Sequence, residues 1–244
     1  MKKSRNETLA EFKKEFSIIE NLYKAKCINW SGSTNDSDEL YTEIISNEIL
    51  RNLIEFDKIK TVTRSNTYCR ENHKAIEIDL ESNRKEEIFA KRIAYLDLGE
   101  LGLIKDYQIP LKDTQADKGL GKIDLISFNS ESKTLYLIEL KYDGNKETLL
   151  RASLESYTYY KIINHKKLIN DCLNNKQFIL NKVFDSVNPD EINIKPAVLL
   201  TPNCNAFDEF YEMELGERPK LKSLSLALDI NYFTLEIMVD GSIL

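Results

Sequence analysis

The chain has 244 residues, of which 42% are hydrophobic and 30% are charged, and its eight Gly and five Pro argue against collagen-like, low-complexity and disordered classes. Its formal net charge of −6 argues against whole-surface binding of polyanions, so a nucleic-acid contact would need a local basic face. No apolar stretch approaches the roughly 20 residues of a membrane helix, and the lysine-rich start leads into no apolar signal segment. The four cysteines lie more than thirty residues apart without a CxxC pair, which argues against a zinc site or a disulfide framework. We therefore expect a soluble, cytoplasmic protein with no membrane contact.

Residues 1–82 are predicted to form a mainly helical extension. Apolar residues at three- and four-residue steps predict one helix over residues 5–28 and a second over about 38–56. Alternation of apolar and polar residues predicts two strands or extended segments, at 59–68 and 74–80. Because this region lies outside the core pattern described next, we expect it to recognise the substrate, a separate protein partner or a second copy in a homodimer.

Residues 83–244 are predicted to form an α/β core. In chain order the pattern predicts a helix that closes at Gly99, three strands, two helices and a buried strand, at about 82–99, 104–111, 121–128, 133–142, 147–164, 166–180 and 195–201. An acidic segment at 207–217, a Leu-rich helix and a last strand at 230–239 follow. The order helix, three strands, helix, strand indicates a mixed β-sheet flanked by helices.

A predicted hairpin between the second and third strands carries the candidate chemistry. Its polar turn at 129–132 places Asp124 opposite or nearly opposite Glu139. The period of two along a strand puts Glu139 and Lys141 on one face. Two carboxylates and one ammonium group therefore converge at the open end of a hairpin that is otherwise apolar.

Two carboxylates a few ångströms apart repel each other, and a hard divalent cation is the usual relief. The expected cofactor is Mg²⁺, with Mn²⁺ as the alternative. Glu-x-Lys occurs three times in the chain, but only Glu139-Leu-Lys141 lies on a strongly apolar strand with an Asp in register. A structural salt bridge from Lys141 to Glu139 or Asp124 is the alternative interpretation.

These residues resemble the motif of the PD-(D/E)XK nuclease superfamily, which has the restriction-endonuclease-like fold. The resemblance implies that Asp124 and Glu139 bind the metal and that Lys141 assists the attack on the phosphodiester bond. It covers about half of the chain, from about 84 to 201, and Ile123 stands where the family has the Pro that names the motif. It implies an αβββαβ core and a magnesium-dependent nuclease, a hydrolase for which DNA is favoured over RNA.

The resemblance extends less specifically to two helices. It implies a further catalytic carboxylate at Glu87, with Glu86 as the near alternative, although acidic residues in a first turn also simply complement the helix dipole. Glu155 and Tyr159 match the spacing of a Gln-x-x-x-Tyr pair in some relatives, with Glu in place of Gln. Together with Arg151 they are candidate substrate-binding residues, and Arg151 either reaches a phosphate or pairs with Glu155.

Local charge supports nucleic acid as the partner. Residues 141–167 contain six Lys or Arg and three Asp or Glu, in contrast to the acidic chain as a whole. A non-catalytic binding or regulatory module is the main alternative, and the intact Asp124, Glu139 and Lys141 argue against it. A phosphohydrolase acting on a nucleotide or small molecule is a third interpretation, for which the sequence has no Gly-rich phosphate loop.

Overall fold

The computed structural model describes residues 2–69, 83–113, 121–174 and 187–235. Within these ranges the α-helices are α1 Arg5–Glu15, α2 Tyr41–Leu50, α3 Lys85–Ile93, α4 Leu149–Ile162, α5 His165–Asn174, α6 Asn205–Glu214 and α7 Pro219–Ala227. The strands are β1 Leu103–Pro110, β2 Lys122–Asn129, β3 Thr134–Lys141, β4 Asn193–Leu200 and β5 Asn231–Thr234. Short 3-10 helices cover Ile19–Lys24, Lys26–Asn29, Leu53–Lys58, Gly99–Leu101 and Pro189–Glu191.

The five strands form one sheet in the order β1-β2-β3-β4-β5. β1 pairs with β2, and β2 with β3, in antiparallel orientation. The amides of Asn193 and Thr201 donate to the carbonyls of Lys133 and Lys141, so β4 runs parallel to β3. The predicted α/β class with a mixed sheet and flanking helices is confirmed, and α3, β1, β2, β3, α4, α5 and β4 follow one another in the predicted order.

Internal contacts group the described residues into two units. One unit is built from 1–60, 141–158 and 198–244, and the other from 61–140 and 159–197. Each unit therefore combines segments that are distant in sequence. The predicted boundary between extension and core lies at residue 82, outside the described residues, and it stays a prediction.

The predicted long helix over residues 5–28 is wrong. α1 begins after a capping box, in which the Ser4 hydroxyl accepts from the Glu7 amide while the Glu7 carboxylate accepts from the Ser4 amide, and it ends at Glu15. The chain then continues as two 3-10 helices whose apolar residues are still buried. Because a 3-10 helix repeats every three residues, it buries the same apolar spacing that suggested an α-helix.

Other predicted boundaries also need correction. The second helix is shorter than expected, since α2 spans Tyr41–Leu50 and a 3-10 helix follows it. α3 ends at Ile93, six residues before the expected stop at Gly99, and Tyr95 then has a left-handed φ of 68°. In the predicted strand at 59–68 the structure has a single bridge, from Val62 to Ile163, whereas 74–80 lies outside the described residues. None of the described helices combines the length and the apolar character needed to cross a membrane.

Candidate active site

The β2–β3 hairpin has the register that the sequence predicts. Its pairs run from Asn129 opposite Thr134 to Leu125 opposite Ile138, so Asp124 and Glu139 are the next positions along the two strands. The turn is fixed locally, because the Asn129 side-chain oxygen accepts from the amides of the second and third residues that follow it. Directly opposite side chains in an antiparallel pair point to the same face, which places the two carboxylates together.

Hydrogen bonds to both carboxylate oxygens orient Asp124. Gln108 Nε2 donates to Oδ1 at 3.0 Å, and the Leu140 amide donates to Oδ2 at 3.0 Å. Gln108 lies on β1 at the position opposite Asp124, where its φ of 54° is unusual for a residue with a side chain. A backbone conformation of this kind costs on the order of 1–3 kcal/mol, and such positions cluster at functional sites. Since each carboxylate oxygen has two lone pairs, an oxygen that accepts one hydrogen bond can also bind a cation.

The side chain of Lys141, the last residue of β3, is almost completely buried and ion-paired with Glu147. Its Nζ lies 2.5 Å from Glu147 Oε2, and Arg151 Nε lies 2.8 Å from Glu147 Oε1. The Glu147 amide donates to the Asn145 side chain at 2.7 Å, which fixes the loop before α4. Lys141 therefore has Glu147 as one partner, and the alternative in which it pairs with Glu139 or Asp124 stays a prediction. Arg151 also pairs with Glu147, and the two roles expected for it, a phosphate contact or a pair with Glu155, stay predictions.

Glu147 is not among the site residues that the sequence predicts. Its position four residues before Arg151 nevertheless indicates an ion pair, because acidic and basic side chains at this spacing meet on a helix. Its contact with Lys141 crosses the loop between β3 and α4, and no periodic pattern covers that loop.

Glu139 and Lys141 lie on the same strand, β3. They stand two residues apart on β3, so their side chains leave the same face of that strand. Glu139 is 6% exposed and Lys141 is 3% exposed, so both are charged groups held largely away from water. Buried charges at a strand end require either compensation within the protein or a charged ligand.

The carboxylates of Asp124 and Glu139 suit a hard cation that needs only one or two protein ligands. Among the residues that the structure describes, no group of three or more His, Cys, Asp or Glu side chains is placed to hold a metal ion. Mg²⁺, however, is commonly bound through one or two carboxylates, with water and substrate phosphate oxygens completing its octahedron. Asp124 and Glu139 are the residues that could hold such an ion.

Glu87 lies in the first turn of α3, where it makes ion pairs within its own helix. Its carboxylate is 3.2 Å from Lys91 Nζ and 3.3 Å from Arg84 Nη1. Partial burial raises the pKa of Glu87, but the ion pairs with Lys91 and Arg84 outweigh that effect and lower it. These contacts agree with a helix-stabilising role, and a catalytic role for Glu87, or for its alternative Glu86, stays a prediction.

The two residues of the predicted substrate-binding pair on α4, Glu155 and Tyr159, differ in how far they are exposed to solvent. Tyr159 is 4% exposed, whereas Glu155 is partly exposed. A Cβ atom built on Gly121, the residue before β2, would lie 2.1 Å from the Tyr159 hydroxyl. Tyr159 therefore packs against the backbone that leads into β2, three residues before Asp124, and any larger residue at 121 would displace it.

No protein-family model matches the chain, and comparisons with curated proteins and with solved structures find no match either. The activity must therefore be inferred from the residues of the chain itself.

Proposed function

We propose that the protein is a divalent-metal-dependent nuclease of the PD-(D/E)XK type that hydrolyses phosphodiester bonds. The observation that carries the proposal is the hairpin register, in which Asp124 and Glu139 are the positions that follow the Leu125–Ile138 pair and β3 ends with the buried Lys141. The sequence of elements from α3 to β4 adds support, because the resemblance implies a core of that order. The proposed fold type is restriction-endonuclease-like.

In the proposed reaction, bound Mg²⁺ or Mn²⁺ supplies a water of lowered pKa and offsets charge on the phosphate. Asp124 and Glu139 hold the cation, and the Gln108 amide and the Leu140 backbone amide keep the Asp124 carboxylate in one orientation. Lys141 places a positive charge where negative charge develops on the scissile phosphate, an effect that is strong when the group is preorganised and desolvated.

The proposed substrate is nucleic acid, with DNA favoured over RNA. Six basic residues between 141 and 167 supply the positive charge that a phosphate backbone requires. Recognition of the substrate, of a separate protein partner or of a second copy is assigned in this proposal to the N-terminal region.

The test is cleavage of labelled single-stranded DNA, double-stranded DNA and RNA by the purified protein in Mg²⁺, Mn²⁺ or EDTA. We expect cleavage of at least one substrate with a divalent ion and none in EDTA. Lys141→Met should reduce the rate about a hundredfold or more, because it removes the charge that stabilises the transition state. Methionine retains the apolar stem, which makes it a better choice than alanine for a residue that is buried.

Lys222→Met is the matched control, since Lys222 is exposed on α7 and pairs with Glu214 outside the N-terminal region. Its cleavage rate should equal that of the wild type. Undiminished cleavage by Lys141→Met would remove the proposed mechanism. Metal-independent binding of nucleic acid without cleavage of any substrate would instead favour the non-catalytic module.

A further inference from the structure

The carboxylate of Glu147 bridges two cationic side chains in the segment between β3 and α4. Each of its oxygens faces one cation, Oε2 toward Lys141 Nζ and Oε1 toward Arg151 Nε. The three side chains differ in exposure, with Lys141 at 3%, Arg151 at 24% and Glu147 at 25%. The lysine is thus the fixed part of the cluster, and the glutamate is the member with access to solvent.

The contact between Arg151 and Glu147 is close but poorly directed. Arg151 Nε is buried and has no aligned hydrogen-bond acceptor among the described residues, although Glu147 Oε1 lies 2.8 Å away. A buried donor without an aligned acceptor is unfavourable, so a better-placed acceptor would be favoured at this position. A guanidinium presents its N–H groups in a planar fork that matches the oxygens of a phosphate.

We propose that Lys141 and Arg151 form a binding site for one phosphate of the nucleic-acid backbone, and that Glu147 occupies this site when no substrate is bound. The inference rests on the proposed function and adds to it a competition between an internal carboxylate and the substrate. A phosphate that enters between the two cations displaces Glu147 toward solvent. The cluster carries a net charge of +1 with the carboxylate in place and +2 once it has moved away.

The competition predicts that removal of the Glu147 charge strengthens phosphate binding. Binding is measured as the fluorescence anisotropy of a labelled single-stranded DNA oligonucleotide in EDTA, which prevents metal-dependent cleavage, with inorganic phosphate as the competitor. Glu147→Gln should tighten DNA binding about tenfold, as expected for the gain of a charge-assisted hydrogen bond. The slope of log K against log salt should become steeper by about one.

Three further variants separate this site from a general effect of charge. Glu214→Gln makes the same charge change at an exposed ion pair with Lys222, outside the N-terminal region, and its affinity should equal that of the wild type. Arg151→Met introduced together with Glu147→Gln should abolish the gain. Glu147→Asp keeps the charge but is one methylene shorter, so it should bridge the two cations less well and tighten binding about threefold.

The outcomes distinguish the inference from the proposed function. Unchanged affinity in both Glu147→Gln and Glu147→Asp, with cleavage still dependent on Lys141, would overturn the inference and leave the nuclease. Tighter binding that requires Arg151, with no cleavage of any substrate, would keep the phosphate site and remove the nuclease. Equal tightening by Glu214→Gln would attribute the effect to net charge and overturn the site. If Glu147→Gln melts well below the wild type, the charge-conserving Glu147→Asp decides.

Discussion

Two groups of charged residues, one in each unit, contrast in the signs of the charges that they bring together. At the hairpin end, Asp124 and Glu139 are two acidic residues at the positions that follow the Leu125–Ile138 pair. In the helical region, Arg218 donates from Nη1 to the Thr42 hydroxyl and lies 2.6 Å from a Glu212 oxygen and 3.5 Å from a Glu209 oxygen. The second group joins opposite charges, although Glu209 Oε1 is buried without a hydrogen-bond partner among the described residues. A network of opposite charges indicates a structural role, and a like-charge pair indicates a place for a ligand.

The helical group also satisfies backbone amides at helix starts. Both oxygens of Glu43 accept from the amides of Lys220 and Leu221 in the first turn of α7, each at 2.9 Å. Glu209 accepts from the Leu149 amide, the first of α4, at 2.8 Å. A carboxylate at a helix N-terminus compensates amides that have no partner within the helix and also interacts favourably with the helix dipole. Burial nevertheless raises the pKa of Glu209, so its ionised form depends on Arg218.

The largest expected loss of stability comes from a substitution that disrupts the network around Arg218. Arg218→Met should lower the free energy of unfolding by about 3–5 kcal/mol, because it leaves Glu209 buried without its cation. Urea unfolding measures the loss. Arg51→Met is the control, because Arg51 pairs with Glu48 at the surface and exposed pairs contribute at most about 1 kcal/mol. Equal losses for the two variants would show that the Arg218 network is not the source of stability.

The hairpin pair should respond in the opposite direction. Without metal, the two carboxylates repel each other, so Glu139→Gln should raise the melting temperature in EDTA. Mg²⁺ should raise the melting temperature of the wild type, by an amount equivalent to about 2.7 kcal/mol at a hundredfold excess over Kd, and should not affect Glu139→Gln. A loss of stability for this variant in EDTA, together with no Mg²⁺ effect on the wild type, would identify the pair as structural.

Asp124→Asn is a less clean test than Glu139→Gln, for a reason that the structure provides. Both Asp124 oxygens accept hydrogen bonds, from Gln108 and from the Leu140 amide. An asparagine must turn its NH₂ group toward one of these two donors and lose that bond. Asp124→Asn should therefore show no rise in melting temperature with Mg²⁺, as expected for Glu139→Gln. Unlike Glu139→Gln, it should not melt at a higher temperature than the wild type in EDTA.

Most of this fold can be predicted where it depends on residues close together in the sequence, as in the periodicity of a strand or the residues of a turn. Strands β1 to β4 agree with the expected ranges to within one or two residues, and the hairpin register follows from a turn only a few residues long. The signal fails where different structures share a pattern, as in the 3-10 helices after Glu15. It also fails for contacts between distant residues, since nothing in the sequence spacing of Cys69 and Cys172 predicts that their sulfur atoms lie 3.2 Å apart. The positive φ of Gln108 likewise has no marker in the residue type.

Lys105 offers the smallest expected effect and tests how strongly burial alone acts on a charge. It stands at an irregularity of β1, between Ile104 and Asp106, and is 4% exposed. Burial lowers the pKa of Lys105 to about 8, although the nearby Cys172 and Asp97 act in the opposite direction. A lysine whose pKa is lower in the folded state releases its proton there first, so between pH 8 and about 10.5 the unfolded chain binds more protons.

Stability should therefore rise with pH across this window, in contrast to a lysine whose pKa is raised by a carboxylate partner. We expect Lys105→Met to be more stable than the wild type at pH 7 and the difference to narrow by about 1–2 kcal/mol by pH 10. Urea unfolding of both proteins at pH 7, 8, 9 and 10 measures their free energies of unfolding. The difference between the two free energies at each pH removes the contribution of titrating groups that both proteins share. A constant difference would show that Lys105 is as well solvated as an exposed lysine. A narrowing difference would instead show that burial of a charged side chain has a measurable cost in the stability of this fold.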